Sequence, residues 1–116
     1  MLSDGHVELK VQAAGLNFRD VLNVLGEYPG DPGPPGGDAA GMVCEASLSL
    51  HSTFGLGHAP LAPVAIAAVH FLASKPPSLS FEQACTLPVT WSTTHAAVER
   101  AGLCACLLYT SDAADE

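Results

Sequence analysis

A chain of 116 residues is enough for one domain with a modest core, and 48% hydrophobic against 14% charged residues marks it as globular rather than disordered. The net charge is −8, and the cations Lys10, Arg19, Lys75 and Arg100 are scattered, so there is no basic patch for a nucleic acid. The four cysteines, Cys44, Cys85, Cys104 and Cys106, lack the spacing of a disulfide framework or a zinc site.

No signal peptide is read at Met1-Leu2-Ser3-Asp4, and the apolar run Leu61 to Ala73 is too short for a bilayer and broken by Pro63 and His70. The expectation is a reducing, cytoplasmic setting with neither nucleic acid nor membrane as partner.

His6 to Ala14 alternates Val7, Leu9, Val11 and Ala13 against Glu8, Lys10 and Gln12, which predicts a half-buried strand. Asn17-Phe18-Arg19-Asp20 is a helix start: Asn17 suits the cap and Asp20 the positive helix end. Phe18, Val21, Leu22 and Leu25 follow the i, i+3, i+4, i+7 pattern, so that face is expected to be buried. Gly26 stops the helix. Pro29 to Gly37, PGDPGPPGG, is an exposed loop, because proline lacks the backbone donor and glycine is unrestrained.

Ala39 to Ala46 is nearly all small or apolar and predicts a strand buried on both faces. Phe54-Gly55-Leu56-Gly57 reads as a short strand and turn, and Pro63 to Phe71 as another strand, ended by Lys75-Pro76-Pro77. Ser80-Phe81-Glu82-Gln83 is a capping box opening a short helix. Pro88 interrupts that helix or opens the next, Val89 to Ala101, which carries Trp91, His95 and Val98 on one face and stops at Gly102. Cys85 is expected in the core, and His95 at its edge.

The stretch AGLNFRDVLNVLGEYPGD followed by GGDAAGMV resembles the medium-chain dehydrogenase/reductase superfamily, and within it the enoyl reductase domains of polyketide and fatty acid synthases. The likeness covers about Val7 to Leu103. It implies a mainly β fold with short helices (α+β): a GroES-like, partly open β-barrel, truncated before the dinucleotide-binding Rossmann domain. Residues 1–103 are then the GroES-like N-terminal part. Residues 104–116, CACLLYTSDAADE, are read as a non-native or disordered tail, since no G-x-G-x-x-G turn follows. The sequence departs from the family after Glu45, where a glycine-rich turn and a Gly-Asp-Arg-Val segment are wanting.

The resemblance implies reduction of an α,β-unsaturated acyl thioester by NADPH, with the substrate tethered to an acyl carrier protein and other synthase domains as neighbours. Zinc-dependent relatives place a cysteine where Asn17 to Asp20 stands and a His-Glu pair near Gly37-Asp38. Neither is present, and a catalytic zinc needs three such ligands, so a zinc-free member with no metal is expected.

Tyr28 corresponds to a tyrosine that faces the substrate in related enoyl reductases. A phenol is protonated at rest and can pass its proton to an enolate. The other account is a tyrosine packed on Pro29 with a wet hydroxyl. Asn17 and Thr93 correspond to residues that approach the nicotinamide ring, where an amide or hydroxyl can bond the ribose or carboxamide. Helix capping explains Asn17 as well, and the two roles coexist; for Thr93 the alternative is an ordinary half-buried helix residue. Arg19 and Asp20 are read as an exposed pair at the helix start. Phe54 and Leu56 line either the acyl channel or the core.

Three other readings stand beside the enoyl reductase. One is a zinc-free quinone oxidoreductase, since GLNFRD occurs widely in that branch. Another is a non-catalytic GroES-like binding module. The last is an inactive fragment, because the glycine turn at a helix N-terminus that holds a pyrophosphate is not in the sequence.

Overall fold

A computed structural model describes residues 4–44 and 50–102. In chain order the elements are β1 (His6–Gly15), α1 (Phe18–Leu25), β2 (Asp38–Cys44), β3 (Leu50–Leu56), β4 (Val64–Ala68), a 3-10 turn (Val69–Phe71), β5 (Leu72–Ser74), α2 (Phe81–Ala84) and α3 (Pro88–Ala101). The strands form one antiparallel sheet in the order β4-β1-β2-β3-β5, an open GroES-like arrangement of mainly β structure with short helices, as the sequence led one to expect. The departure from the family after Glu45 begins, and the tail from Cys104 lies, outside the described residues.

The strand β1 sits between β4 and β2, and its alternation from Val7 to Val11 sets one face of the core; a register shift against β2 between Val11 and Ala13 turns Ala13 to the other face. Leu9 is fully buried against Ala39 and Val43, with Val7, Val11 and Leu72 packed around them. On the opposite face Ala40 meets Ala84 and Cys85, bordered by Ala13, Phe54, Leu79 and Phe81. The strand β2 is therefore buried on both faces, which its run of small residues permits. At Gly41 a β-carbon would collide with the backbone of Lys10, so glycine is what lets β1 and β2 close up there.

The helix ends follow local chemistry. Gly26 and Gly102 take left-handed backbone with φ of 73° and 64° and return N–H groups to the preceding carbonyls. Ser80 Oγ accepts from Gln83 N at 3.0 Å, while Gln83 Oε1 accepts from Ser80 N at 3.0 Å, completing the predicted capping box. Pro88 is the first residue of α3, where a missing N–H costs nothing.

Three expectations need correction. The apolar face of α1 is not buried: Phe18 is 75% and Leu25 67% exposed, and the buried residue of that helix is Asp20. The polar side of α1 turns inward because Asp20 and Asn23 hold the Pro29–Gly37 loop, leaving the apolar stripe outward. The segment Pro63 to Phe71 is a strand only over Val64–Ala68, after which a 3-10 turn redirects the chain into β5. Finally, His95 is not at a core edge. It lies on the outer surface of α3, 3.6 Å from Glu99, with both side chains at least 70% exposed.

Candidate functional site

The end of β1 and the start of α1 meet the loop, the end of β3 and the start of α3 around a groove of about 560 Å³. Asn17, Arg19 and Asp20 line one wall, Pro32, Pro34 and Gly36 the loop side, and Leu56, His58 and Val89 the remainder. A second, adjoining groove of about 410 Å³ shares Leu56 and His58 and reaches Ile66 and Phe71.

The groove wall is held by two buried carboxylates. Asp20, 4% exposed, accepts from the Gly36 backbone N–H at 2.7 Å with Oδ1 and from the Asn17 backbone N–H at 2.8 Å with Oδ2. The second bond is one half of a capping box at the head of α1; the first fixes the loop. Asn23 Nδ2 adds a bond to the Gly33 carbonyl at 2.9 Å, and Arg19 Nη2 one to the Gly36 carbonyl at 3.4 Å. The proline-glycine loop is thus moored to α1 at Gly33 and Gly36. Its far end is tied to the sheet by Gly57 N donating to Gly37 O at 2.8 Å.

Asp38 opens β2 and is 2% exposed. Its Oδ2 accepts from Asn17 Nδ2 at 3.2 Å, and its Oδ1 accepts from the Val89 N–H at 3.1 Å. The Val89 N–H belongs to the first turn of α3, where no intrahelical partner exists. Gly15 makes room for this junction: a β-carbon there would strike the Cys85 carbonyl oxygen and the Asp38 side chain. Burial pushes the Asp38 carboxyl above the ordinary aspartate value; the bonds from Asn17 and Val89 pull it back, and the nearby charge of Asp20 adds to the rise. The Cys85 thiol is likewise raised, by burial first and then by the charge of Asp38.

Of the residues singled out from the sequence, Asn17 lies on the groove wall. Thr93 is exposed on α3, one helical turn beyond Val89, which lines the groove. Tyr28 is half-buried after the Gly26 cap and stands outside the groove lining. Leu56 lines both grooves; Phe54 instead lines an apolar hollow with Leu87, Pro88 and Trp91. Cys85 is in the core, as expected.

The sequence suggests an exposed helix-start charge at Asp20 and marks Asp38 only within the family resemblance; both are buried supports of the groove. The signal for Asp38 was present in the sequence. A carboxylate directly preceding a run that is buried on both faces needs partners, because an unpaired buried charge is costly. Among the described residues no three histidines, cysteines or acids gather to hold a metal ion, and no helix is long and apolar enough to cross a membrane.

No protein-family model matches the chain. Curated relatives do. The spectinabilin polyketide synthase system protein NorB of Streptomyces orinoci is 42% identical over 109 residues, which is 88% of this chain and 5% of that protein. The chain therefore spans about one twentieth of that relative's length. Among solved structures, the CurK enoyl reductase is 30% identical with a TM-score of 0.66, covering 80% of this chain and 35% of that one. The quinone oxidoreductase from Thermus thermophilus, solved also as its complex with NADPH, is 32% identical with a TM-score of 0.70, covering 88% of this chain and 34% of that one.

Proposed function

We propose that this chain, which has the GroES-like fold of the zinc-free medium-chain dehydrogenase/reductases, supplies through residues 1–103 the substrate side of an NADPH-dependent enoyl reductase. The substrate class is an α,β-unsaturated acyl thioester in polyketide or fatty acid synthesis, carried by an acyl carrier protein among other synthase domains. The observation that carries this reading is the Asn17 carboxamide on the wall of a mostly apolar groove, in a chain similar over most of its length to polyketide synthases and to an enoyl reductase.

The groove suits one end of NADPH. Asn17 offers an amide to a carboxamide or ribose hydroxyl, beside the apolar Leu56 and Val89. Among the described residues no glycine-rich turn opens a helix, so groups for the pyrophosphate are not supplied by them. Bound with its nicotinamide end at the groove, NADPH would supply the hydride.

Within this reading Asn17 orients the ring from one side, and the Thr93 hydroxyl approaches it from α3. The family resemblance is what supports giving the Tyr28 hydroxyl, which stands outside the groove lining, the proton destined for the substrate α-carbon. Taken alone, residues 1–103 are then inactive towards NADPH.

The test is a chimera in which residues 7–102 replace the matching segment of the CurK enoyl reductase. NADPH oxidation that depends on a crotonyl thioester, and that falls on Asn17→Ala, is the expected result. A folded chimera that binds NADPH and leaves the thioester untouched while reducing a quinone would overturn it. That outcome would favour the quinone oxidoreductase reading, for which the 32% identity to the Thermus thermophilus protein speaks.

A further inference from the structure

We propose that Asp38 is a positioning residue, whose buried carboxylate fixes the Asn17 carboxamide in one orientation on the groove wall and ties it to the first turn of α3. The geometry is a bridge through a single side chain. One oxygen accepts from Asn17 Nδ2 at 3.2 Å, the other from the Val89 N–H at 3.1 Å, and the two donors come from elements 21 and 51 positions away from Asp38.

Chemistry makes the orientation one-sided. An ionised carboxylate is acceptor-only, whereas an asparagine side chain carries a donor end and an acceptor end. Asn17 must therefore turn its nitrogen to Asp38, and the amide cannot flip without setting oxygen against oxygen. The second N–H of Asn17 is thereby set in direction for whatever the groove takes, its carbonyl oxygen facing the first turn of α1 in the capping box; its use for a nicotinamide rests on the function proposed above.

No other side chain of this size can make the bridge. An asparagine at position 38 has one acceptor atom, so it satisfies Asn17 or Val89 and opposes a donor to the other. Burial at 2% exposure keeps water from substituting for the lost partner. The room for the carboxylate comes from Gly15, where any β-carbon would intrude. The groups facing Asp38 are the Asp20 carboxylate from α1, the Cys85 thiol at the end of α2 and the Val89 N–H from α3. Among the described residues no cation forms an ion pair with it. Its neighbours hold it by hydrogen bonds, which makes orientation its main consequence.

The test is a pH titration of the 116-residue chain followed by nitrogen-15 NMR, reading the Asn17 side-chain amide, the Val89 backbone amide and the Gly36 backbone amide. Asn17 and Val89 are expected to move together, with one shared midpoint, because a single carboxyl bridges them. Gly36, whose N–H donates to Asp20, reports that neighbouring carboxylate separately. In Asp38→Asn the shared transition disappears, and the Asn17 side-chain protons exchange with solvent at least about tenfold faster, the loss expected for a hydrogen bond to a charged group.

Separate midpoints for Asn17 and Val89, or an Asn17 amide that neither titrates nor responds to Asp38→Asn, would overturn the assignment. Should Asp38→Asn not fold, the wild-type titration decides alone through the shared midpoint. NADPH takes no part in this experiment, so its failure is separable from failure of the chimera assay.

Discussion

Asn17 and Asp38 meet side chain to side chain at 3.2 Å, one at the head of α1 and the other at the start of β2. The contact joins the groove wall to the most buried strand of the sheet, and it sets the first prediction. Asn17→Ala leaves Asp38 Oδ2 without its side-chain donor in a site that water barely reaches. The expected loss is about 1.5–3 kcal/mol, the range for hydrogen bonds to charged groups. Urea unfolding should show a lower midpoint with an unchanged slope.

The Asp38 carboxyl gives a pH signature. Its affinity for a proton is higher in the folded chain than in the unfolded one, since burial outweighs the two donors. Between the ordinary aspartate value and the raised folded value, the native state binds more protons than the unfolded state. The contribution of this group to stability is therefore full below the ordinary value and is lost as pH rises through the raised one. The difference in urea midpoint between wild type and Asp38→Asn, followed against pH, isolates it. The wild type should lose ground relative to the variant across that window and hold a constant offset above it.

Asp20 moors the loop. Asp20→Ala removes acceptors from the Gly36 and Asn17 N–H groups at once. A cost of about 1–3 kcal/mol is expected for the buried donor left behind at Gly36. Hydrogen exchange should locate the effect: protection at Gly36 falls, while protection at Leu9 and Val43 in the sheet centre falls only as far as global stability does.

Gly15 is a steric prediction. Gly15→Ala drives a methyl into the Cys85 carbonyl and the Asp38 side chain, two groups fixed by α2 and β2. Over-packing of this kind costs roughly 1–3 kcal/mol. Near-ultraviolet circular dichroism and thermal unfolding should both report the loss, and a folded variant of wild-type stability would show that the β1–α2 approach is looser than described.

The Cys85 thiol is buried, and its proton is held more tightly than usual by burial and by Asp38. Alkylation by iodoacetamide near neutral pH should therefore be at least about tenfold slower in the folded chain than in urea, because the thiolate is the reactive form. Mass spectrometry of the peptide that holds Cys85 measures it directly.

The helix ends and the strands β1 and β2 were legible because their causes are local, whereas the start of β3 at Leu50 and the division of Pro63 to Phe71 between β4 and a 3-10 turn were not. Alternation from Val7 to Val11 marks a strand, Gly26 and Gly102 each take the backbone that a helix stop needs, and Ser80 and Gln83 are three residues apart in any fold. The resemblance of NFRD and GGDAAG to a known family was legible too, and the fold agrees with it. Misjudged were the directions of surfaces. A 3.6-residue period marks an apolar stripe on α1 without saying whether anything covers it; here Phe18 and Leu25 face outward.

By itself the sequence determined the helix caps and stops, that β2 is buried on both faces, and which family the groove-lining motif resembles. Only the tertiary structure decided that Asp20 is inside and which donors meet Asp38 at the head of its buried run. That choice depends on donors 16, 21 and 51 positions away, at Gly36, Asn17 and Val89, arriving within hydrogen-bond reach. A buried carboxylate is tolerable only where such partners converge, and convergence is a property of the folded chain rather than of any window of its residues.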